Sequence, residues 1–171
     1  MTNILTNGRV ELIPATIPLI ELELHEGETP FAALDVAEPP YWPPELNDND
    51  SFNYALSVLR GNPGTDHWGF YYLVETLPRR HLVGMGGFKG PADDKGDVEI
   101  GYSILEPYRR CGYAAAMCNL LIAKAFADSA VQSVSATTLP HLLPSIGVLK
   151  KCGFSFVGEV EGIVTYRLAR P

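Results

Sequence analysis

Hydrophobic and polar positions change rhythm several times along this chain, and each change marks an element. Arg9-Val-Glu-Leu-Ile-Pro14 alternates and stops at a proline, the pattern of a half-buried strand. Thr16 to Leu24 follows, with Thr16 as a candidate N-cap and Pro18 in the first turn, so a helix is predicted there. Between residues 30 and 50, Pro30, Pro39, Pro40, Pro43 and Pro44 surround Tyr41 and Trp42. Proline lacks a backbone donor and clashes with the preceding turn, so this segment predicts a loop or broken helix over a pocket. Ser51 to Leu59 returns to helical spacing through Phe52, Leu56 and Leu59, and Gly61-Asn-Pro-Gly64 ends it.

The next runs are aromatic and aliphatic. Trp68 to Glu75 and His81 to Phe88, separated by Thr76-Leu-Pro-Arg-Arg80, read as a hairpin, and Asp97 to Leu105 adds a third antiparallel strand after the turn-rich Gly90 to Gly96. Then the rhythm shifts. Gly112 to Ala127 is an almost continuously apolar helix, Val131 to Thr138 a strand, Ser145 to Lys151 a short helix, and Phe154 to Val160 with Ile163 to Leu168 a closing hairpin. Strand, helix, strand implies a crossover and a parallel pair. The predicted class is α/β in the broad sense, an α+β mixed sheet, mostly antiparallel and flanked by helices. Gly84-Met-Gly86-Gly87 lacks the third glycine or alanine of a dinucleotide loop and opens no helix, so these glycines mark close backbone approach or bulges.

Composition narrows the function. At 171 residues and 46% hydrophobic, the chain suffices for one well-formed core, and a single domain over 1–171 is expected. No run approaches ~20 apolar residues and the N-terminus lacks a signal-peptide pattern, so a soluble cytoplasmic protein with no membrane partner is expected. Cys111, Cys118 and Cys152 have no C-x-x-C spacing and the four histidines are scattered, which predicts reduced thiols and no structural metal. The net charge of −7 and pI near 5.0 argue against nucleic acid as partner. Nine carboxylates between Glu21 and Asp50 have no Lys or Arg among them. They read as a solvated acidic face or as a field favouring neutral or cationic ligands.

Against that acidity, Glu106-Pro-Tyr-Arg-Arg-Cys-Gly-Tyr-Ala-Ala-Ala-Met117 holds adjacent arginines before a glycine and a helix start. Backbone N–H groups of a first helical turn lack intrahelical partners, so this junction is a candidate anion site. Gly112 permits close approach, Ala114 and Ala115 keep the turn free of bulk, and Arg109 and Arg110 add charge. The plainer alternative is a loop-to-helix junction with surface arginines. Cys111 at a helix start also reads as a nucleophile, although no histidine can be paired with it from sequence.

Arg109-x-x-Gly112-x-Ala114 resembles the Q/R-x-x-G-x-G/A motif of the GNAT superfamily of N-acetyltransferases. Glu99-Ile-Gly-Tyr102 before it and Pro144-Ser-Ile-Gly-Val-Leu-Lys-Lys-Cys-Gly-Phe154 after it are similar to the ribosomal-protein N-terminal acetyltransferase-like subgroup. The resemblance implies a GNAT-like sheet splayed between its fourth and fifth strands, with acetyl-CoA as acyl-donor cosubstrate. Backbone amides of Cys111, Gly112, Tyr113, Ala114 and Ala115 would hold the pyrophosphate between Arg109 and Arg110, and Tyr102, Ser103 and Ile104 would line the pantetheine along the gap. The acceptor would be a primary amine of a small molecule or protein N-terminus, attacked directly in a ternary complex. Homodimers are among the assemblies the family allows.

Glu99 is the candidate general base, because Val98, Ile100 and Ile104 share one strand face and Glu99 takes the other. A solvated strand-face glutamate is the alternative. Backbone N–H groups near Gly101 and Tyr102 are candidate oxyanion donors. The family's acidic tyrosine is Leu149 here, and its asparagine is Leu142. Ser145 is the nearest polar substitute as proton donor to the leaving thiolate, with an N-cap role as the competing explanation. A non-catalytic acyl-CoA-binding or regulatory module stays open for that reason, and a nucleotide-binding protein is disfavoured by the missing Lys-Ser/Thr after the glycine.

Overall fold

The computed structural model describes residues 3–171. The chain forms β1 (Leu5–Thr6), β2 (Val10–Pro14), α1 (Ile17–Leu24), α2 (Asn49–Gly61), β3 (Phe70–Glu75), β4 (His81–Phe88) and β5 (Asp97–Ile104). There follow α3 (Tyr113–Ala127), β6 (Ser133–Thr138), α4 (Leu143–Lys151), β7 (Ser155–Val160) and β8 (Ile163–Ala169). One eight-stranded sheet takes the order β1-β2-β3-β4-β5-β6-β8-β7. All neighbours are antiparallel except β5 and β6, which α3 connects as a parallel crossover pair. The mixed, mostly antiparallel sheet is the expected architecture, and the short β1 is the strand the hydrophobic pattern missed.

The parallel pair is brief. Asp97 lies opposite Ser133, Val98 opposite Val134 and Glu99 opposite Ser135, and there the pairing stops although both strands continue. This is the splay expected between the fourth and fifth predicted strands. Toward β4, the Lys89 N–H donates to the Glu99 carbonyl and the Leu105 N–H to the Val83 carbonyl, both at 2.9 Å. Odd-numbered residues of β5 therefore turn their backbone groups toward β4, and alternation sends those of Tyr102 and Ile104 into the gap. Of the two expected oxyanion donors, Gly101 faces the ladder and Tyr102 the opening.

Strand alternation divides the interior into two cores. Tyr71, Leu73, Val98, Ile100 and Ile104 pack with Tyr113, Met117, Cys118 and Leu121 of α3. Tyr72, Val74, Leu82 and Met85 on the other face pack with Ile20, Phe52, Leu56 and Leu59 of α1 and α2. Each fully buried aliphatic side chain contributes about 1.5–3 kcal/mol, which holds the helices against both faces. The second core ends at β4. Beyond it the same face turns polar, with Asp97 and Glu99 on β5 and Ser133, Ser135 and Thr137 on β6. A Cβ at Gly84 or Gly86 would lie 2.4 Å from the carbonyl oxygen of Ser103 or Gly101, so these glycines mark close approach of β4 to β5.

The proline-rich segment is a loop packed on the second core. Trp42 donates its indole N–H to the Glu23 carboxylate at 3.0 and 3.1 Å, and the Tyr72 hydroxyl donates to the same carboxylate at 3.0 Å. Helix boundaries shift from their predicted places. Thr16 occupies the N-cap of α1 without a side-chain bond, whereas Asp48 caps α2 by accepting from the Ser51 N–H at 2.9 Å. The N-cap explanation of Ser145 is incorrect: Pro144 fits the first turn, α4 begins at Leu143, and Leu142 holds the cap position. No helix among the described residues is long and apolar enough to cross a membrane.

Candidate active site

The arginine loop leaves β5 through a single 3-10 turn at Glu106–Tyr108. Arg110 has φ 62° and Gly112 φ 83°, two left-handed residues that turn the chain into α3. Gly112 is the N-cap and supplies no side-chain cap, and the Ala116 N–H bonds the Gly112 carbonyl at 3.0 Å. The amides of the first turn, at Tyr113, Ala114 and Ala115, are thus left for an external acceptor, at the positive end of the helix dipole.

A residue distant in sequence clamps this loop from behind. Arg9, the residue before β2, donates to the Cys111 carbonyl at 3.1 Å and stacks 4.5 Å above the Tyr113 ring, while its Nε lies 3.6 Å from Glu75. The Tyr113 hydroxyl donates to Glu75, whose carboxylate is also 3.2 Å from His81 Nε2. Arg9 sits 102 residues from Cys111, and nothing in its local pattern distinguishes it from a strand-end cation.

The two loop arginines part company. Arg109 turns back, donating from Nε to the Ile104 carbonyl at 3.1 Å and from its terminal nitrogen to Glu45 at 3.2 Å. The Ser103 hydroxyl bonds the Glu45 carbonyl at 3.0 Å, and the Glu106 N–H donates to the Tyr41 hydroxyl at 2.7 Å. Through these bonds the acidic, proline-rich loop is pinned onto the end of β5. Arg110 is exposed on its left-handed backbone. Cys111 is exposed, with its thiol 3.4 Å from the Arg109 carbonyl.

Glu99 sits at the last rung before the strands part. Its Oε1 accepts from Lys89 Nζ at 2.5 Å and from the Thr137 hydroxyl at 2.9 Å. Neighbouring Asp97 is held by the hydroxyls of Ser133 and Ser135, each at 2.5 Å, and by Arg167 at 3.4 Å. On the opposite face the Tyr102 hydroxyl lies 3.2 Å from the Ser145 carbonyl and 3.3 Å from Ser145 Oγ, tying α4 to β5 across the gap. Burial pushes the Tyr102 phenol well above its ordinary range, so it stays protonated and able to donate. Leu149 points into the core, where it is 1% exposed.

The acidic segment is less free than its composition implied. Glu21 pairs with Arg60 at 2.6 Å, Asp35 with Arg80 at 4.0 Å and Glu45 with Arg109, while Glu23 and Asp48 make the bonds described above. Much of the cluster therefore fastens α1, the loop and α2 to the rest of the chain.

Known proteins share this fold. Residues 29–155 match the family model described as the acetyltransferase (GNAT) domain. The uncharacterized N-acetyltransferase YjdG of Bacillus subtilis (strain 168) is 27% identical over 154 residues, covering 88% of this chain and 89% of that protein. Among solved structures, the ribosomal L7/L12 alpha-N-protein acetyltransferase RimL in complex with coenzyme A superposes with a TM-score of 0.66 at 14% identity, over 98% of both chains. The Microcin C7 self immunity acetyltransferase MccE, in complex with acetyl-CoA and AMP, superposes with a TM-score of 0.65 at 13% identity, over 96% of this chain and 94% of its own. Such identities carry the fold alone; the family match spans most of the chain, and on it the chain belongs to the GNAT acetyltransferase family.

Proposed function

We propose that this chain moves an acetyl group from acetyl-CoA directly to a primary amine, of a small molecule or a protein N-terminus, with donor and acceptor bound together. The observation that carries the reading is the position of Glu99, an acceptor carboxylate at the rung where β5 and β6 part, on the same strand that leads to the uncapped start of α3. The residues fit the donor. Amides from Cys111 to Ala115 and the Arg110 side chain suit a diphosphate, and the gap-facing backbone of Tyr102 suits an amide-containing arm. The donor supplies a thioester carbonyl to the amine.

Within that frame each residue has a role. Glu99 takes a proton from the ammonium of the acceptor, directly or through water. The Tyr102 N–H donates to the carbonyl oxygen as negative charge develops there. Ser145 Oγ, hydrogen-bonded to the Tyr102 hydroxyl, gives a proton to the departing thiolate. Arg9 and Arg109 are positioning residues that fix the loop on both sides.

The burial of Leu149, at the place of the family's acidic tyrosine, favours a second reading as a non-catalytic acyl-CoA-binding module. A panel of primary amines incubated with protein and acetyl-CoA, with free thiol measured over time, separates the two. Amine-dependent thiol release supports transfer. Donor binding without release from any amine supports the module.

A further inference from the structure

One amine already occupies the position proposed for the acceptor. Lys89, the residue after β4, places Nζ 2.5 Å from Oε1 of Glu99, with the lysine side chain 56% and the glutamate 33% exposed. Lys89 lies opposite Glu99 across the strand pair, its N–H donating to the Glu99 carbonyl at 2.9 Å, and its Cε passes 3.9 Å from where a Cβ of Gly101 would sit. The missing side chain at Gly101 leaves room for the stem, and the ammonium stands against the last paired residue of β5, near Tyr102, whose backbone N–H faces the gap. Thr137 closes the far side of the same carboxylate oxygen. Among the described residues, Lys89 is the lysine that pairs with Glu99; the chain's other lysines are Lys95, Lys124, Lys150 and Lys151.

Resting on the transferase reading of this site, we propose that Lys89 is a resident acceptor whose ε-amine the protein acetylates on itself. Glu99 accepts a proton from the Lys89 ammonium, and the neutral Nζ forms a bond to the thioester carbonyl carbon as the carbon–sulfur bond breaks. Nitrogen loses a second proton, the coenzyme leaves as thiolate and is protonated to the thiol. The balance is lysine ammonium and acetyl thioester to acetyl-lysine, free thiol and one proton, with no oxidant or further reactant. The product is neutral at Nζ, so the ion pair with Glu99 is lost and an amide stands where acceptor amines must enter. Self-acetylation thereby couples donor supply without acceptor to a changed acceptor site. The pair also sets the acceptor's chemistry, since an incoming amine must replace an unbranched alkylammonium.

The test uses the full-length protein with acetyl-CoA and no added amine, followed by intact mass and peptide mapping over time and at several protein concentrations. The expected result is a single acetyl group at Lys89, appearing at a rate independent of protein concentration. Glu99→Gln is expected to slow it about 100-fold, the lower range of general-base contributions. Lys89→Arg, which keeps the cation against Glu99, removes the modification and retains the thermal shift with acetyl-CoA. Equal acetylation of all five lysines, or an unchanged rate in Glu99→Gln, overturns the proposal. Turnover of an amine in the panel with Lys89 unmodified overturns it while leaving the transferase reading intact. Absence of modification, turnover and donor binding together overturns both.

Discussion

Glu45 holds Arg109 at 3.2 Å, so a carboxylate of the acidic loop engages the arginine that positions the loop beside the proposed diphosphate site. Both side chains are substantially exposed, and such pairs contribute about 0–1 kcal/mol. Glu45→Gln is therefore expected to change the ligand-free melt little. Acetyl-CoA affinity, measured by calorimetric titration, should rise a few-fold because the variant removes a negative charge beside the proposed diphosphate site. Weaker binding in the variant would instead make Glu45 a part of the site's scaffold.

Gly112 tests the mouth of α3 directly. Acetyl-CoA at ~100 times its Kd adds about 2.7 kcal/mol of stability. For a domain of this size that is a melting rise of roughly 5 to 11 °C, at about 2 to 4 °C per kcal/mol. Gly112→Ala isolates the cost of a side chain at φ 83°, about 1–2 kcal/mol. Gly112→Asp pays that cost and also abolishes most of the ligand shift by repulsion, while Lys95→Ala leaves the shift intact. A full shift in the aspartate variant would remove the anion from this helix end.

For Glu99→Gln the expectation is intact donor binding with turnover lowered roughly 100-fold or more. Lys89→Ala provides the contrast, because it frees the carboxylate without removing it. Steady-state thiol release with a good acceptor should fall in the first and persist in the second. Equal losses in both would assign the pair a structural duty.

Tyr102 and Ser145 form a contact that a double-mutant cycle can resolve. Tyr102→Phe and Ser145→Ala should each cost on the order of 1 kcal/mol by denaturant unfolding, with the double variant less destabilised than the sum. Ser145→Ala should also lower turnover more than Tyr102→Phe does, since only the serine is the proposed proton donor. Strict additivity would mean the hydroxyls act independently.

Glu23 gives a pH signature. Burial outweighs the bonds from Trp42 and Tyr72 and raises its carboxyl above the ordinary range. The folded state thus binds this proton more tightly than the unfolded chain does. Its stabilising effect is full below the unfolded value of about 4.3 and is lost as pH rises through the raised folded value. Glutamine does not titrate, so the stability of Glu23→Gln relative to the natural chain should improve between about pH 4 and about pH 7. Denaturant midpoints at the two pH values measure this, and a deficit that grows with pH contradicts it.

Local pattern carried most of the fold because alternation and helical spacing report which face is buried. The strands at 9–14, 97–105 and 131–138 and the apolar helix from 112 each needed only neighbours a few residues away. Leu5–Thr6 escaped because two residues are too few to show a period. The candidate site was legible as a set of positions and less so as contacts. That Arg109 is paired with Glu45, that Lys89 lies on Glu99, and that Arg9 braces Cys111 all follow from segments that meet only after the sheet assembles. Ser145 was open to a capping role because a proline in the first turn starts α4 earlier than its polar residue suggests.

Backbone pairing between β5 and β6 ends at Glu99 and Ser135, yet the Thr137 hydroxyl reaches back to Glu99 from two residues further along β6. Side chains thus stitch the seam past the point where the main chain has let go. Any wedge that spreads the strands draws Thr137 away from the carboxylate and leaves it with one hydrogen-bond donor fewer. The width of the opening and the hydrogen bonding of this carboxylate are then one mechanical variable: a molecule long enough to prop the strands apart also frees a face of Glu99 that Thr137 had covered.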